Sequence, residues 1–119
     1  GPGVRLLTGD ASIWTLHRMG RLEDAGLYGP IQIGDNSYIG AGAVIMPGVK
    51  IGRNCIVLAN SLVTSDIPNG TVAGGTPAVP LDDIDSYAQK CRGRCTIGAA
   101  GLSRRQKRKA LMQEFDLDI

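Results

Sequence analysis

Ile33-Gly34-Asp35-Asn36-Ser37-Tyr38-Ile39-Gly40-Ala41-Gly42-Ala43-Val44-Ile45-Met46-Pro47-Gly48-Val49-Lys50-Ile51-Gly52-Arg53-Asn54-Cys55-Ile56-Val57 is the stretch that decides the fold. An aliphatic residue returns every six positions, at Ile33, Ile39, Ile45, Ile51, Val57 and Val63. Glycine follows it at Gly34, Gly40 and Gly52, and the fifth place of each hexad holds Ser37, Ala43, Val49, Cys55, Ser61 or Ile67, mostly small. A period of six matches neither the 3.6 of an α-helix nor the alternation of a plain hairpin. It matches a chain that turns a corner after every short strand and points its aliphatic residue inward each time. A set of unrelated hairpins does not account for six consecutive hits.

Glycine, Asn and Asp at Gly34-Asp35-Asn36 and Gly52-Arg53-Asn54, and the Pro47-Gly48 pair, supply the tight-turn conformations such corners need. In a left-handed parallel β-helix three hexads make one coil, so Ile33 to Pro68 reads as two coils hydrogen-bonded to each other. Coils bury their faces only against neighbours, and about three repeat units are usually needed for stability. Residues Val4 to Thr8 are expected to add a strand below, and so short a stack favours self-association. The predicted fold class is all-β, a left-handed parallel β-helix with two short C-terminal α-helices. Its domains are expected to be residues 1–80, the β-helix, and 81–119, a helical extension.

Residues 14–30 break the period and carry Arg18, Arg21, Glu23 and Asp24, the signature of a loop projecting from a corner; projecting loops often carry function. After the repeat, Asp82 reads as an N-cap, with Asp85 three residues on and Ile84, Tyr87, Ala88 and Cys91 at helical spacing. Gly93 ends that helix. A glycine-containing irregular segment follows, and Ser103 with Gln106 forms a capping box for a second helix through about Phe115. The second helix holds Arg104, Arg105, Lys107, Arg108 and Lys109 in its first half and Glu114 and Asp116 towards its end, opposite to the preference of the helix dipole. Leu111 and Phe115 are therefore expected to pack on the β-helix or a neighbouring subunit, and the basic run reads as a solvated face.

The composition bounds the remainder. The 119 residues are 43% hydrophobic with 17 Gly but one Phe and one Trp, which describes an aliphatic, turn-rich interior rather than a helical bundle. A net charge of +2, with eight of thirteen Lys and Arg from Lys90 onward, argues against a basic groove over the whole molecule, and no nucleic-acid partner is expected. Cys55, Cys91 and Cys95 with one histidine make neither a paired framework nor a zinc set, so reduced thiols, a cytoplasmic location and no metal are expected. No run approaches the roughly 18 to 20 apolar residues of a membrane span, and no signal peptide opens the chain. Gly1-Pro2 without an initiator Met resembles a tag-protease scar, so the native protein is expected to extend upstream. The Asn69-Gly70-Thr71 sequon reads as a coincidental turn.

The segment Tyr38 to Gly52 resembles the hexapeptide-repeat acyltransferases, especially the maltose, galactoside and polysaccharide O-acetyltransferase branch. Val63-Thr64-Ser65-Asp66-Ile67-Pro68 followed by Ala73-Gly74-Gly75-Thr76-Pro77-Ala78 resembles that branch's end-of-helix signature, and Leu7-Thr8-Gly9-Asp10 with Trp14 resembles its catalytic strand. The resemblance runs over roughly residues 4 to 92. It implies a homotrimer that binds acetyl-CoA in the groove between subunits and transfers the acetyl group to a sugar hydroxyl or amine. A general base takes the acceptor proton and backbone N–H groups stabilise the oxyanion. The family base is the histidine of a Thr-His-Asp stretch, and that position is Gly9 here. Glycine cannot titrate, and general-base catalysis contributes about 10² to 10⁴ in rate. Asp10, with an ordinary carboxylate pKa near 4, and His17 in the projecting loop are the substitutes at hand.

The resemblance places the cofactor groove at Ala41, Ala59, Thr64 and Ser65. The first two need only a small side chain and exposed backbone. Ser65 replaces the family's lysine, while Val79 and Asp82 stand where basic residues follow the terminal motif, so the nucleotide phosphates lose cationic partners unless Arg104 to Lys109 of a neighbouring subunit compensate. Leu58 and Asn60 also replace glycines usual in the last coil. Two readings follow: an acetyltransferase impaired at its base, or a non-catalytic homologue whose trimeric β-helix is a structural or binding module. The β-helical carbonic anhydrases need several metal-bound histidines, which one histidine excludes.

Overall fold

Each hexad folds as a two-residue strand followed by a corner, and the corners, rather than long strands, give the architecture. The computed structural model describes residues 1–95 and 98–117. The strands are β1 (Arg5–Leu6), β2 (Gly9–Asp10), β3 (Leu27–Tyr28), β4 (Gln32–Ile33), β5 (Tyr38–Ile39), β6 (Val44–Ile45), β7 (Lys50–Ile51), β8 (Ile56–Val57), β9 (Leu62–Val63), β10 (Thr71–Gly75) and β11 (Ala78–Asp83). The helices are α1 (Ile13–Arg18), α2 (Ile84–Arg92) and α3 (Arg104–Glu114). Gly1–Tyr87 and Ala88–Ile119 are two separate compact units.

From β4 onward the chain visits three sheets in rotation. β4 pairs with β7, β5 with β8 and β6 with β9, all parallel, so that Ile33 lies opposite Ile51, Ile39 opposite Val57 and Ile45 opposite Val63. Three hexads separate each pair, as the period predicts. β1 lies on the other side of β6, with Leu6 opposite Ile45, which is the extra strand expected from Val4 to Thr8. The last coil is two residues shorter: Ile67 bridges Ile51, and β10 sets Val72 opposite Ile56 and Ala73 opposite Val57. Side chains fill the resulting gaps in the hydrogen bonding. Lys50 N–H donates to Asp66 Oδ1 at 2.8 Å and Arg53 N–H to Asn69 Oδ1 at 2.9 Å.

Two columns of side chains fill the coil. Ile39, Ile45, Ile51, Val57 and Val63 form one, and Ala43, Val49, Cys55, Ser61 and Ile67 the other, all buried. Ser61 satisfies its hydroxyl by donating to Leu58 O at 2.7 Å and accepting from Gly75 N at 3.3 Å. Ile33, in the edge strand β4, departs from the inward pattern and is 39% exposed.

The corners explain the glycines. Positive φ recurs every six residues, at Asn36, Gly42, Gly48, Asn54 and Asn60, a conformation that Gly adopts freely and Asn tolerates. Gly40 serves a different need. A Cβ there would lie 2.4 Å from the backbone nitrogen of Ala59 in the next coil, whereas Gly48 has nothing within 4 Å. Gly40→Ala is therefore expected to destabilise by about 1 to 3 kcal/mol through overpacking, while Gly48→Asn stays within about 0.5 kcal/mol. Urea midpoints of the two variants check this; equal losses would mean that the coils can move apart at Gly40.

β2 and β3 form an antiparallel ribbon, Gly9 opposite Tyr28 and Asp10 opposite Leu27, that closes the base of the projecting loop. Inside the loop is α1, which the sequence does not announce: Ser12 stands at its N-cap but makes no capping hydrogen bond. After the coil, β10 and β11 form an antiparallel hairpin around a cis Thr76–Pro77 peptide. This hairpin corrects the expected start of α2. Pairing with Val72 keeps Asp82 extended, and Asp83 instead accepts from Ser86 N–H at 2.8 Å, so α2 starts at Ile84. The Ser103–Gln106 capping box of α3 is present as read from the sequence. Phe115, at the end of α3, is 61% exposed in the single chain. Thr96 and Ile97 of the linking segment lie outside the described residues. Among those described, no helix is long and apolar enough to cross a membrane.

Candidate functional site

The segment from Leu7 to Asp10 leaves the coil directly. Leu7 N–H donates to Ile45 O at 2.9 Å, still in register with the sheet, and Gly29 N–H donates to Thr8 O at 3.0 Å where the loop returns. Gly9 and Asp10 therefore lie at the junction of coil and loop. They border a hollow of about 240 Å³ lined also by Ala11, Ile13, Trp14, Ala25, Gly26 and Tyr28.

Gly9 does not have a positive φ, so its backbone suits any residue. A Cβ at Gly9 would lie 3.2 Å from Cδ1 and Cε1 of the Tyr28 ring. That ring is 82% exposed and free to give by the few tenths of an ångström required. Asp10 is fixed: its Oδ1 accepts from Ser12 N–H at 2.9 Å, opening the turn into α1. The hydrogen bonds from Ser12, backbone first and side chain second, hold the Asp10 carboxyl below its ordinary pKa. A carboxylate stabilised in its charged form is a weaker base, so the turn that positions Asp10 also lowers its basicity.

His17 does not line the hollow. It lies in the last turn of α1 with Nδ1 3.2 Å from Leu22 O and its ring edge-on to Trp14, centroids 5.5 Å apart. Trp14 is shared between the two settings. Tyr28, Ala25 and Gly26 lie in the projecting loop that the sequence reading singled out, although that reading did not name them individually.

The four positions expected from sequence to line a cofactor groove divide between two corners. Ala41 and Ala59 follow β5 and β8 at equivalent corners of successive coils, and Asn60 N–H donates to Ala41 O at 2.9 Å. Thr64 and Ser65, both exposed, follow β9 at the next corner. Within this chain the β6–β9 face lies between the two pairs. Beside the second corner a hollow of about 500 Å³ runs over Lys50, Asp66 and Asn69, where the coil is short. Among the described residues no three His, Cys, Asp or Glu side chains converge as a metal site.

Residues 25–65 match the family described as "Bacterial transferase hexapeptide (six repeats)". Over these residues the chain carries the hexapeptide repeat of that transferase family. This hexapeptide-repeat chain is 49% identical over 49 residues to the galactoside O-acetyltransferase of Lactococcus lactis, covering 41% of this chain and 24% of that protein. With a maltose O-acetyltransferase structure from Clostridium difficile it shares 39% identity and a TM-score of 0.56, over 68% of this chain and 42% of the other. With a galactoside acetyltransferase solved in complex with coenzyme A it shares 36% identity and a TM-score of 0.63, over 74% and 42%. A Vibrio cholerae hexapeptide-repeat acetyltransferase complexed with acetyl-coenzyme A gives 38% identity and a TM-score of 0.61, over 71% and 44%. The hexapeptide-repeat chain spans about 40% of the length of the curated relatives that match it over 86 and 83 residues.

Proposed function

We propose that this chain belongs to an acetyl-CoA-dependent acetyltransferase that acts on a sugar hydroxyl or amine, coiled as a left-handed β-helix and assembled as a cytoplasmic homotrimer, and impaired because Gly9 stands where the base belongs. The observation that carries the reading is the placement of Gly9 and Asp10 just beyond β1, which is paired with the coil, on a strand paired with the returning loop and opening onto a hollow with Trp14 and Tyr28. Relatives titled as galactoside and maltose acetyltransferases, and structures titled with coenzyme A or acetyl-CoA, support the donor and acceptor classes.

Acetyl-CoA supplies an activated thioester. The acceptor oxygen or nitrogen bonds to its carbonyl carbon, the acceptor proton passes to a base, and the thiolate leaves. Trp14 and Tyr28 offer an aromatic wall against which a sugar ring can lie. Ala41 and Ala59 leave backbone accessible for an extended ligand, which would reach Thr64 and Ser65 only by crossing the β6–β9 face or by lying between subunits. The second reading, a non-catalytic trimeric module, is favoured by one observation: among the described residues Asp10 is the only carboxylate lining the hollow, and Ser12 makes it less basic.

Calorimetric titration of acetyl-CoA separates the readings. Saturable binding is expected if the donor site is retained. Absence of binding would remove the enzyme reading and leave the structural module.

A further inference from the structure

His17 was read from sequence as a substitute base, and the structure gives it a different place. A carbonyl oxygen only accepts, so the 3.2 Å contact between Nδ1 and Leu22 O puts a proton on Nδ1 in either charge state of the ring. His17 does not border the hollow at Gly9. Trp14 does, and its ring and that of His17 meet edge to face, with centroids 5.5 Å apart and planes at 79°.

Trp14 and His17 are three residues apart on α1, the spacing that sets two side chains on one helix face. The helix itself gives Trp14 little support. It is six residues long with none of them buried, and Ser12 makes no capping hydrogen bond; helices this short are not stable unaided. Two hydrogen bonds fasten its ends instead. Asp10 accepts the Ser12 N–H at 2.9 Å before the helix, and His17 reaches past its end to Leu22 O. The chain between them closes tightly, Gly20 N–H donating to His17 O at 3.0 Å and Arg21 N–H to Leu16 O at 2.9 Å. Among the described residues, His17 makes the one side-chain hydrogen bond from within α1. Its ring is therefore tethered, and the tethered ring restricts the rotation of Trp14 while leaving the indole 58% exposed.

We infer that His17 is a positioning residue that holds the Trp14 indole at the rim of the Gly9 hollow so that a pyranoside stacks on it. The inference rests on the sugar acceptor proposed above. A pyranose ring has an apolar C–H face that suits an aromatic plane, and hydroxyls that suit the Asp10 carboxylate bordering the same hollow. Four lining residues, Gly9, Ala11, Ala25 and Gly26, carry nothing larger than a methyl group. The volume of about 240 Å³ lies below the range of about 300 to 1,000 Å³ for drug-sized sites and suits one sugar ring rather than a chain of them. A freely turning indole loses rotamer entropy when a ligand stacks on it, and a restrained one loses less.

Trp14 is the only tryptophan in the chain, so its fluorescence reports this rim alone. The test titrates the full chain, His17→Ala and His17→Phe with maltose and with methyl β-galactoside. Trp14 emission and its quenching by acrylamide are followed, and calorimetry measures binding independently. The expected result is that His17→Ala leaves Trp14 more readily quenched and binds saccharide about three- to tenfold more weakly, the range that aromatic pairs contribute. His17→Phe, which keeps a ring beside Trp14, is expected to recover part of both. Unchanged quenching in His17→Ala would overturn the positioning role. Changed quenching with unchanged saccharide affinity would also overturn it, since the contact would then serve α1 alone. Saccharide binding by calorimetry without a change in Trp14 emission would overturn the stacking platform and leave the sugar-acceptor reading standing. No binding of either saccharide to the unsubstituted chain would overturn the inference together with the sugar acceptor, and acetyl-CoA binding would still decide the donor.

Discussion

Gly9→His is expected to raise acetyl transfer to simple sugars by about 10² to 10⁴, the range contributed by a positioned general base. Three observations make the substitution structurally mild. The Gly9 backbone avoids the left-handed region, the tight contacts of the new Cβ are with the edge of the exposed Tyr28 ring, and the strand pairing with Leu27 and Tyr28 is made by backbone atoms. The restored rate should rise with pH through an apparent pKa near the ordinary histidine value of about 6.5. Gly9→Ala is the matched control: it makes the same contact with Tyr28 without a titratable group, so no gain is expected. If the histidine variant binds acetyl-CoA and still shows no transfer above the alanine control, the hollow is not a catalytic site and the module reading replaces it. Asp10 would not mask the effect, since Ser12 favours its charged form.

The coil was legible in the sequence because its rule is local. Every sixth residue is aliphatic and the same six-residue phase recurs at the corners, so the pairing of Ile33 with Ile51 and of Ile39 with Val57 follows from counting. What broke the count could not be counted. The two-residue shortening before Ile67 depends on Asp66 and Asn69 side chains replacing backbone partners, and nothing in a string of residues marks such a replacement. The end of the coil failed for a similar reason. Asp82 and Asp83 are both good caps, and only the antiparallel hairpin with β10 selects the second. In the candidate site, Gly9 and Asp10 were legible through a resemblance, but Tyr28 enters the hollow through cross-strand pairing of a loop whose register no pattern announces.

Ile45→Ala should be among the most damaging single changes to the coil. Ile45 is 0% exposed and lies in the middle strand of its face, opposite Leu6 on one side and Val63 on the other. Truncation leaves a cavity that two-residue strands, held by corners on both sides, have little freedom to close. A loss of about 2 to 5 kcal/mol is expected, with melting lowered by about 4 to 8 °C for each kcal/mol in a unit of this size. Ile33→Ala removes the same atoms from a position that is 39% exposed, so less area returns to water and no closed cavity forms; about half the loss or less is expected. The two variants occupy equivalent places in different hexads, and comparing them separates the chemistry of the side chain from its position in the stack. If Ile33→Ala proves as costly as Ile45→Ala, the open edge of β4 is covered in solution, and the coil continues beyond the strands that this chain supplies.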